Sequence, residues 1–168
     1  MAGHLRKSDA ALGAGAHNCF GCGAGNRSGL RLKFTEDLAS GSVECVFHVG
    51  RRFEGPPGHV HGGIIATILD EAMGKANRQK GVVALTGRLK IDYLRPVPLG
   101  VKLCAVGWPV SQEGRKHIMA GEIRTLAGAV LARSEGLFIA IDSAEMLRKY
   151  GTRAAGDTMR PGLPKQRR

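Results

Sequence analysis

Apolar residues recur at helical spacing in one stretch of this chain and at strand spacing through most of the rest. From about His61 to Asn77, the residues Ile64, Ile65, Ile68, Leu69, Ala72, Met73 and Ala76 fall on one stripe at roughly 100° per residue, which predicts an amphipathic helix. Leu30-Arg31-Leu32-Lys33-Phe34 and Val43-Glu44-Cys45-Val46-Phe47 alternate and predict two strands before it. Four longer strand-like segments follow, covering roughly 82–93, 101–110, 116–125 and 130–141. They are broken at Arg95-Pro96-Val97-Pro98-Leu99-Gly100, at Gln112-Glu113-Gly114 and at Ala127-Gly128, the last two reading as hairpin turns. One long helix with five or six antiparallel strands predicts an α+β domain in which the sheet wraps the helix.

The alternation stops at both ends. Residues 1–16 are rich in Ala and Gly, and residues 142–168 carry seven Lys/Arg against three acids, so the expected organisation is a loose N-terminus, a folded domain over 17–141 and a flexible basic tail. At 168 residues and 43% hydrophobic content, the chain suffices for one domain with a real core. Met1-Ala2-Gly3-His4-Leu5-Arg6-Lys7 does not read as a secretion signal, and no window holds the roughly 18 apolar residues of a membrane span. Four cysteines are too few for a secreted disulfide scaffold, so the expected compartment is cytoplasmic. The net charge of +11 raises the question of nucleic acid. No stacking aromatics or recognition-helix pattern accompany it, which argues against that partner.

The polar side of the helix carries the candidate chemistry. Asp70 lies there with Gly63, Thr67 and Gly74, small neighbours that leave its carboxylate approachable. Gly62 and Gly63 open the helix, where amides lack intrahelical acceptors and the dipole favours a developing negative charge. Glu71 is the alternative carboxylate, about 100° round the helix. Cys19-x-x-Cys22, with His17 before it, reads as half a zinc site whose remaining ligand would be Cys45 or His48. No second Cys-x-x-Cys exists, and the expectation is no metal. The Gly21-x-Gly23-x-Gly25 run follows no strand and is not a dinucleotide fingerprint.

The order Cys19-Phe20-Gly21-Cys22-Gly23, Gly29-Leu30-x-Leu32, Gly55-Pro56-Pro57-Gly58-His59-Val60-His61-Gly62-Gly63, Asp70-Glu71-Ala72-Met73-Gly74 and Tyr93-x-Arg95-Pro96-Val97-Pro98-Leu99 resembles the PaaI-like hotdog thioesterases over about residues 17–141. The resemblance implies a hotdog fold and hydrolysis of an acyl-CoA thioester. It also implies a homodimer or dimer of dimers with sites at the subunit interface, and no metal or redox cofactor. Carried over, it makes Asp70 the base or nucleophile and points to the Gly62 and Gly63 amides as carbonyl contacts. Thr86 would hold water or the carboxylate from the partner subunit, and His61 would shape the turn or touch substrate. The expected CoA-phosphate partners are Arg88 and Lys90, which strict alternation places on one strand face with Thr86 and Asp92, together with Arg95; Arg51 and Arg52 are further candidates. The alternative function is a hotdog protein that binds acyl-CoA or a related ligand without hydrolysing it.

Overall fold

The computed structural model describes residues 18–142; the expected N-terminal segment and nearly all of the expected basic tail lie outside them. Strands β1 (Thr35–Asp37) and β2 (Ser42–Phe47) precede helix α1 (Gly62–Gln79), and β3 (Ala84–Tyr93), β4 (Leu103–Glu113), β5 (Lys116–Thr125) and β6 (Val130–Ala140) follow. All pairings are antiparallel, in the spatial order β1-β2-β4-β5-β6-β3. This is the hotdog arrangement, one helix laid across a six-stranded sheet. No helix of the described residues is long and apolar enough to cross a membrane.

The stripe of α1 does what its spacing predicts. Ile65, Ile68, Leu69, Ala72, Met73 and Ala76 are buried against Phe47, Leu103, Ala105, Met119, Ile123 and Phe138 of the sheet, while Ile64 is only partly covered. Burial of this kind supplies the main stabilisation, roughly 25 cal/mol per Å² of apolar surface. The segment 30–34 is not a strand. Leu32 and Phe34 are buried as the alternation predicts, but Arg31 takes the left-handed conformation at φ 54, and the Leu32 amide bonds the Gly21 carbonyl instead of a strand. The first strand therefore forms later and is short.

The helix lies unusually close to the sheet. Gly107 of β4 pairs with Gly121 of β5, which pairs with Ser134 of β6, so a row of small residues crosses the sheet beneath Met73. A Cβ at Gly107 would overlap the Ala72 carbonyl and sit 2.9 Å from the Met73 amide nitrogen, both of them helix backbone that cannot swing aside. Gly107→Ala is expected to lower the unfolding free energy by about 1–3 kcal/mol through overpacking. Gly74→Ala, whose Cβ would meet only Phe138 at 3.8 Å, should raise it by about 0.5–1 kcal/mol by removing a helical glycine. Urea midpoints at unchanged m-value check both.

Candidate functional site

The entry to α1 is built by two segments far apart in sequence. The Val60 amide bonds the Val97 carbonyl at 2.8 Å, the Leu99 amide bonds the Gly58 carbonyl at 3.0 Å, and the Glu54 carboxylate accepts from the Gly58 amide at 2.6 Å. The Arg95–Leu99 segment thus clamps the turn that leads into the helix. His61 is the N-cap, its Nδ1 accepting from the Gly63 amide at 3.0 Å, which requires a neutral ring protonated on Nε2. That bond corrects the expectation of two free turn amides, because the Gly63 donor is already used. The Gly62 amide finds no acceptor among the described residues, and the Gly62 carbonyl accepts from the Tyr93 hydroxyl at 3.1 Å. Tyr93, which the sequence offers only within the Tyr93-x-Arg95-Pro96 motif, thus holds the turn from β3.

Asp70 lies two turns further along α1. Its Oδ1 accepts a hydrogen bond from the Thr86 hydroxyl of β3 at 2.6 Å within the same chain, which corrects the expectation that these residues meet across subunits. Partial burial pushes the Asp70 carboxyl above the ordinary carboxylate range, the Thr86 hydrogen bond pulls it back, and neighbouring Glu71 pushes it further up. Asp70, Thr86 and Gly74 line a cavity of about 370 Å³ with Phe138, Ala84 and Leu85.

The cations are not where alternation placed them. Thr86 pairs with Phe138 but Arg88 pairs with Leu137, its immediate neighbour on β6, so a bulge at Gly87 turns the strand over by one residue. Thr86 consequently faces the helix, while Arg88, Lys90 and Asp92 face away from it, a correction to their expected shared face. Arg52 is committed elsewhere, donating to the Arg27 and Gly29 carbonyls at 3.1 and 2.9 Å and stacking 4.6 Å from the centre of the Phe53 ring. Arg51 lies beside it in a short 3-10 turn and is exposed. The cations that do line the Asp70 cavity are Lys75 and Arg78. Their signal was present as the i,i+4 steps Glu71 to Lys75 and Gly74 to Arg78 on the helix.

Cys19 and Cys22 line the same cavity, brought there by the loop that precedes β1. Their neighbour is Glu71, whose Oε2 accepts from the Cys19 thiol at 3.6 Å, and not Cys45, which is a buried residue of β2. His48 is likewise absent from the group, and His17 lies outside the described residues. Burial, then Glu71, pushes the Cys22 thiol up to about 12, which keeps it protonated and a poor nucleophile.

Residues 57–132, the stretch from the turn to the start of β6, match the thioesterase superfamily. A Bacillus halodurans protein crystallised with CoA superposes with a TM-score of 0.59 at 34% identity, over 68% of this chain and 76% of that one. The chain belongs to the thioesterase superfamily. The crystal structure of another thioesterase superfamily protein aligns at 39% identity and a TM-score of 0.65, over 68% of this chain and 56% of that one. The rat protein named acyl-coenzyme A thioesterase THEM4 (Rattus norvegicus) is 36% identical over 116 residues, 68% of this chain and 50% of its own. This chain spans about half the length of that curated relative.

The Asp70–Thr86 pair generates a pH expectation. Because the folded carboxyl lies above its unfolded value, its contribution to stability is fully present below the ordinary carboxylate range and is lost as pH rises through the folded value. Asp70→Asn, which can keep the Thr86 bond, should therefore gain stability relative to wild type across that rise. Thr86→Val should move the Asp70 titration higher still, read from its carboxyl carbon shift by NMR.

Proposed function

We propose that this chain hydrolyses acyl-CoA thioesters. The observation that carries the reading is a half-buried carboxylate on a helix, fixed at 2.6 Å by a threonine hydroxyl at the wall of a cavity. Such a group gives a base or nucleophile a defined position and a raised basicity. A protein that only bound an anionic ligand would lose desolvation energy by keeping a carboxylate there. The rat relative's name and the CoA held by the Bacillus protein support the same reading.

In this reaction the Gly62 amide donates to the thioester carbonyl oxygen. Asp70 either takes a proton from water as the water oxygen bonds the carbonyl carbon, or attacks that carbon itself. When Asp70 acts as base, the carbon–sulfur bond breaks and the CoA thiolate takes back the proton that Asp70 removed from water; when it acts as nucleophile, the thiolate leaves and takes a proton from solvent, and water then hydrolyses the acyl–Asp70 anhydride to the free acid. One carbonyl must lie about 3 Å from both the donor and the attacking group. Eight residues separate Gly62 from Asp70, roughly 12 Å along the axis at about 1.5 Å per residue. One protomer therefore does not complete the site, and we place the Gly62 amide of one copy against Asp70 of a second. Edge strand β3 supports this assembly: it is ten residues long, mostly exposed, and carries Leu85 and Tyr93, each 54% exposed. Such a homodimer keeps the expected interface site, reached by a different pair of residues than Asp70 and Thr86; a dimer of dimers is an extension of it. His61 acts through its cap on Gly63, setting the direction of the turn. Arg78 at the cavity wall and Arg95 on the clamping segment are the cations assigned to the CoA phosphates, with Arg88 and Lys90 left to the outer sheet face. A cytoplasmic location goes with this reading, on the few and scattered cysteines.

Asp70→Asn is expected to reduce kcat by about 10²–10⁴-fold on the best substrate of an acyl-CoA panel with thiol detection. Gly62→Pro should do so by about 10²–10³-fold. Proline is tolerated at the first helical position and the preceding His61 already has an extended ψ of 137°, so the change deletes one amide hydrogen and little else. Each variant alone keeps about 1% of wild-type activity or less, but mixing them in equal amounts should restore about a quarter, since half of the dimers are mixed and one of the two isologous sites in each is intact. A mixture as inactive as its parts, or a folded active monomer by light scattering, overturns the shared site; wild-type turnover by Asp70→Asn overturns the role of Asp70.

A further inference from the structure

We propose that Cys19, Cys22 and Glu71 bind a zinc ion that fastens the loop before β1 onto α1 at the rim of the cavity. The spacing of the two cysteines gives half of such a site, and the structure replaces the Cys45 or His48 expected from the sequence with Glu71. The fold supplies the third ligand from the helix, 52 residues after Cys19. One donor atom from each of the three residues lies within 4.8 Å of the other two. A tetrahedral zinc with Zn–S near 2.3 Å and Zn–O near 2.0 Å has S···O edges of about 3.5 Å. The Cys19 sulfur and the Glu71 carboxylate are already 3.6 Å apart. Three protein ligands leave a fourth position to water, and two thiolates favour zinc over magnesium or calcium, which take oxygen ligands.

The loop is built before any metal arrives. The Gly23 amide closes on the Cys19 carbonyl at 2.9 Å, bringing both cysteines to one side of a tight turn, and the Leu30 and Leu32 amides hold the Phe20 and Gly21 carbonyls at 2.8 and 2.9 Å. A Cβ on Gly21, between the cysteines, would overlap the Glu71 carboxylate, so glycine is what lets that carboxylate reach them.

Charge is conserved in the exchange. Two thiol protons leave as one zinc ion binds, and the group keeps a net charge of −1, from Glu71 alone beforehand and from the zinc, two thiolates and the carboxylate afterwards. Lys75, one helical turn beyond Glu71 and only 7% exposed, lines the same cavity and supplies the compensating charge in both states. Its ammonium makes no hydrogen bond or ion pair with the described residues, yet it acts electrostatically on Cys22.

The site borders the cavity that holds Asp70, so its test reads metal and not turnover. Untagged full-length protein, purified under reducing conditions and stripped with a chelator, is titrated with Zn²⁺ against a chromophoric competitor. One zinc per chain with a submicromolar Kd is expected, and Co²⁺ in its place should show a thiolate-to-cobalt charge-transfer band. Cys19→Ser, an exposed position that leaves the core untouched, and the double change with Cys22→Ser should weaken binding by about 100-fold or more, beyond the 10–100-fold typical of losing an outer-shell partner. Cys45→Ser should bind zinc as wild type does. Zinc should raise Tm in wild type and not in the double variant, with circular dichroism confirming that both are folded. Folded wild type that takes up no zinc at micromolar free ion, or a double variant that keeps wild-type stoichiometry and affinity, overturns the site.

Discussion

Where α1 crosses β4, backbone meets backbone with no side chain between, and the placing of every group in the cavity follows from that contact. Gly107 allows the Ala72 carbonyl onto the strand, and the neighbouring Gly121 and Ser134 leave room for Met73, whose sulfur accepts from the Ser134 hydroxyl at 3.6 Å. With the helix seated at that depth, Asp70 comes level with β3 and within hydrogen-bond reach of Thr86. Had the helix stood off by the width of one more methyl layer, a 2.6 Å bond between those elements would not form.

The same depth explains the polarity of the cavity wall. A helix this close to a sheet has one face wholly buried, so its charged residues crowd onto the flank that remains: Asp70, Glu71, Lys75 and Arg78 all line one cavity. Two acids and two bases share a partly desolvated space. Their mutual influence shows in the raised carboxyl of Asp70 and the raised thiol of Cys22, both dominated by burial.

Periodicity made most of the fold legible. The helix was expected over His61–Asn77 and runs over Gly62–Gln79, and β5 has the expected limits at Lys116 and Thr125. These succeed because each depends on residues within one or two turns of each other. What stayed hidden depends on contacts between distant segments. The alternation at Leu30–Phe34 could not show that the Leu32 amide would be claimed by Gly21. Nor could helix-opening glycines reveal that a histidine side chain would take one of their two donors, although His61 in the N-cap position is a signal that a closer reading could use. The Asp70–Thr86 pairing is similar: the sequence points to both residues, but whether they meet in one chain or two depends on the depth of the helix, which no local pattern encodes.

The bulge at Gly87 divides β3 into two strands of opposite handedness of display. Before it, the residues at even numbers look into the cavity; after it, they look outward. Arg88 and Lys90 are therefore insulated by the thickness of the sheet from the carboxylate at Asp70, and their positive charge neither lowers its basicity nor competes for its hydrogen bond. Sequence drift on the outer half of the strand can thus retune how the protein meets its surroundings without retuning the chemistry, because one extra residue has separated the two.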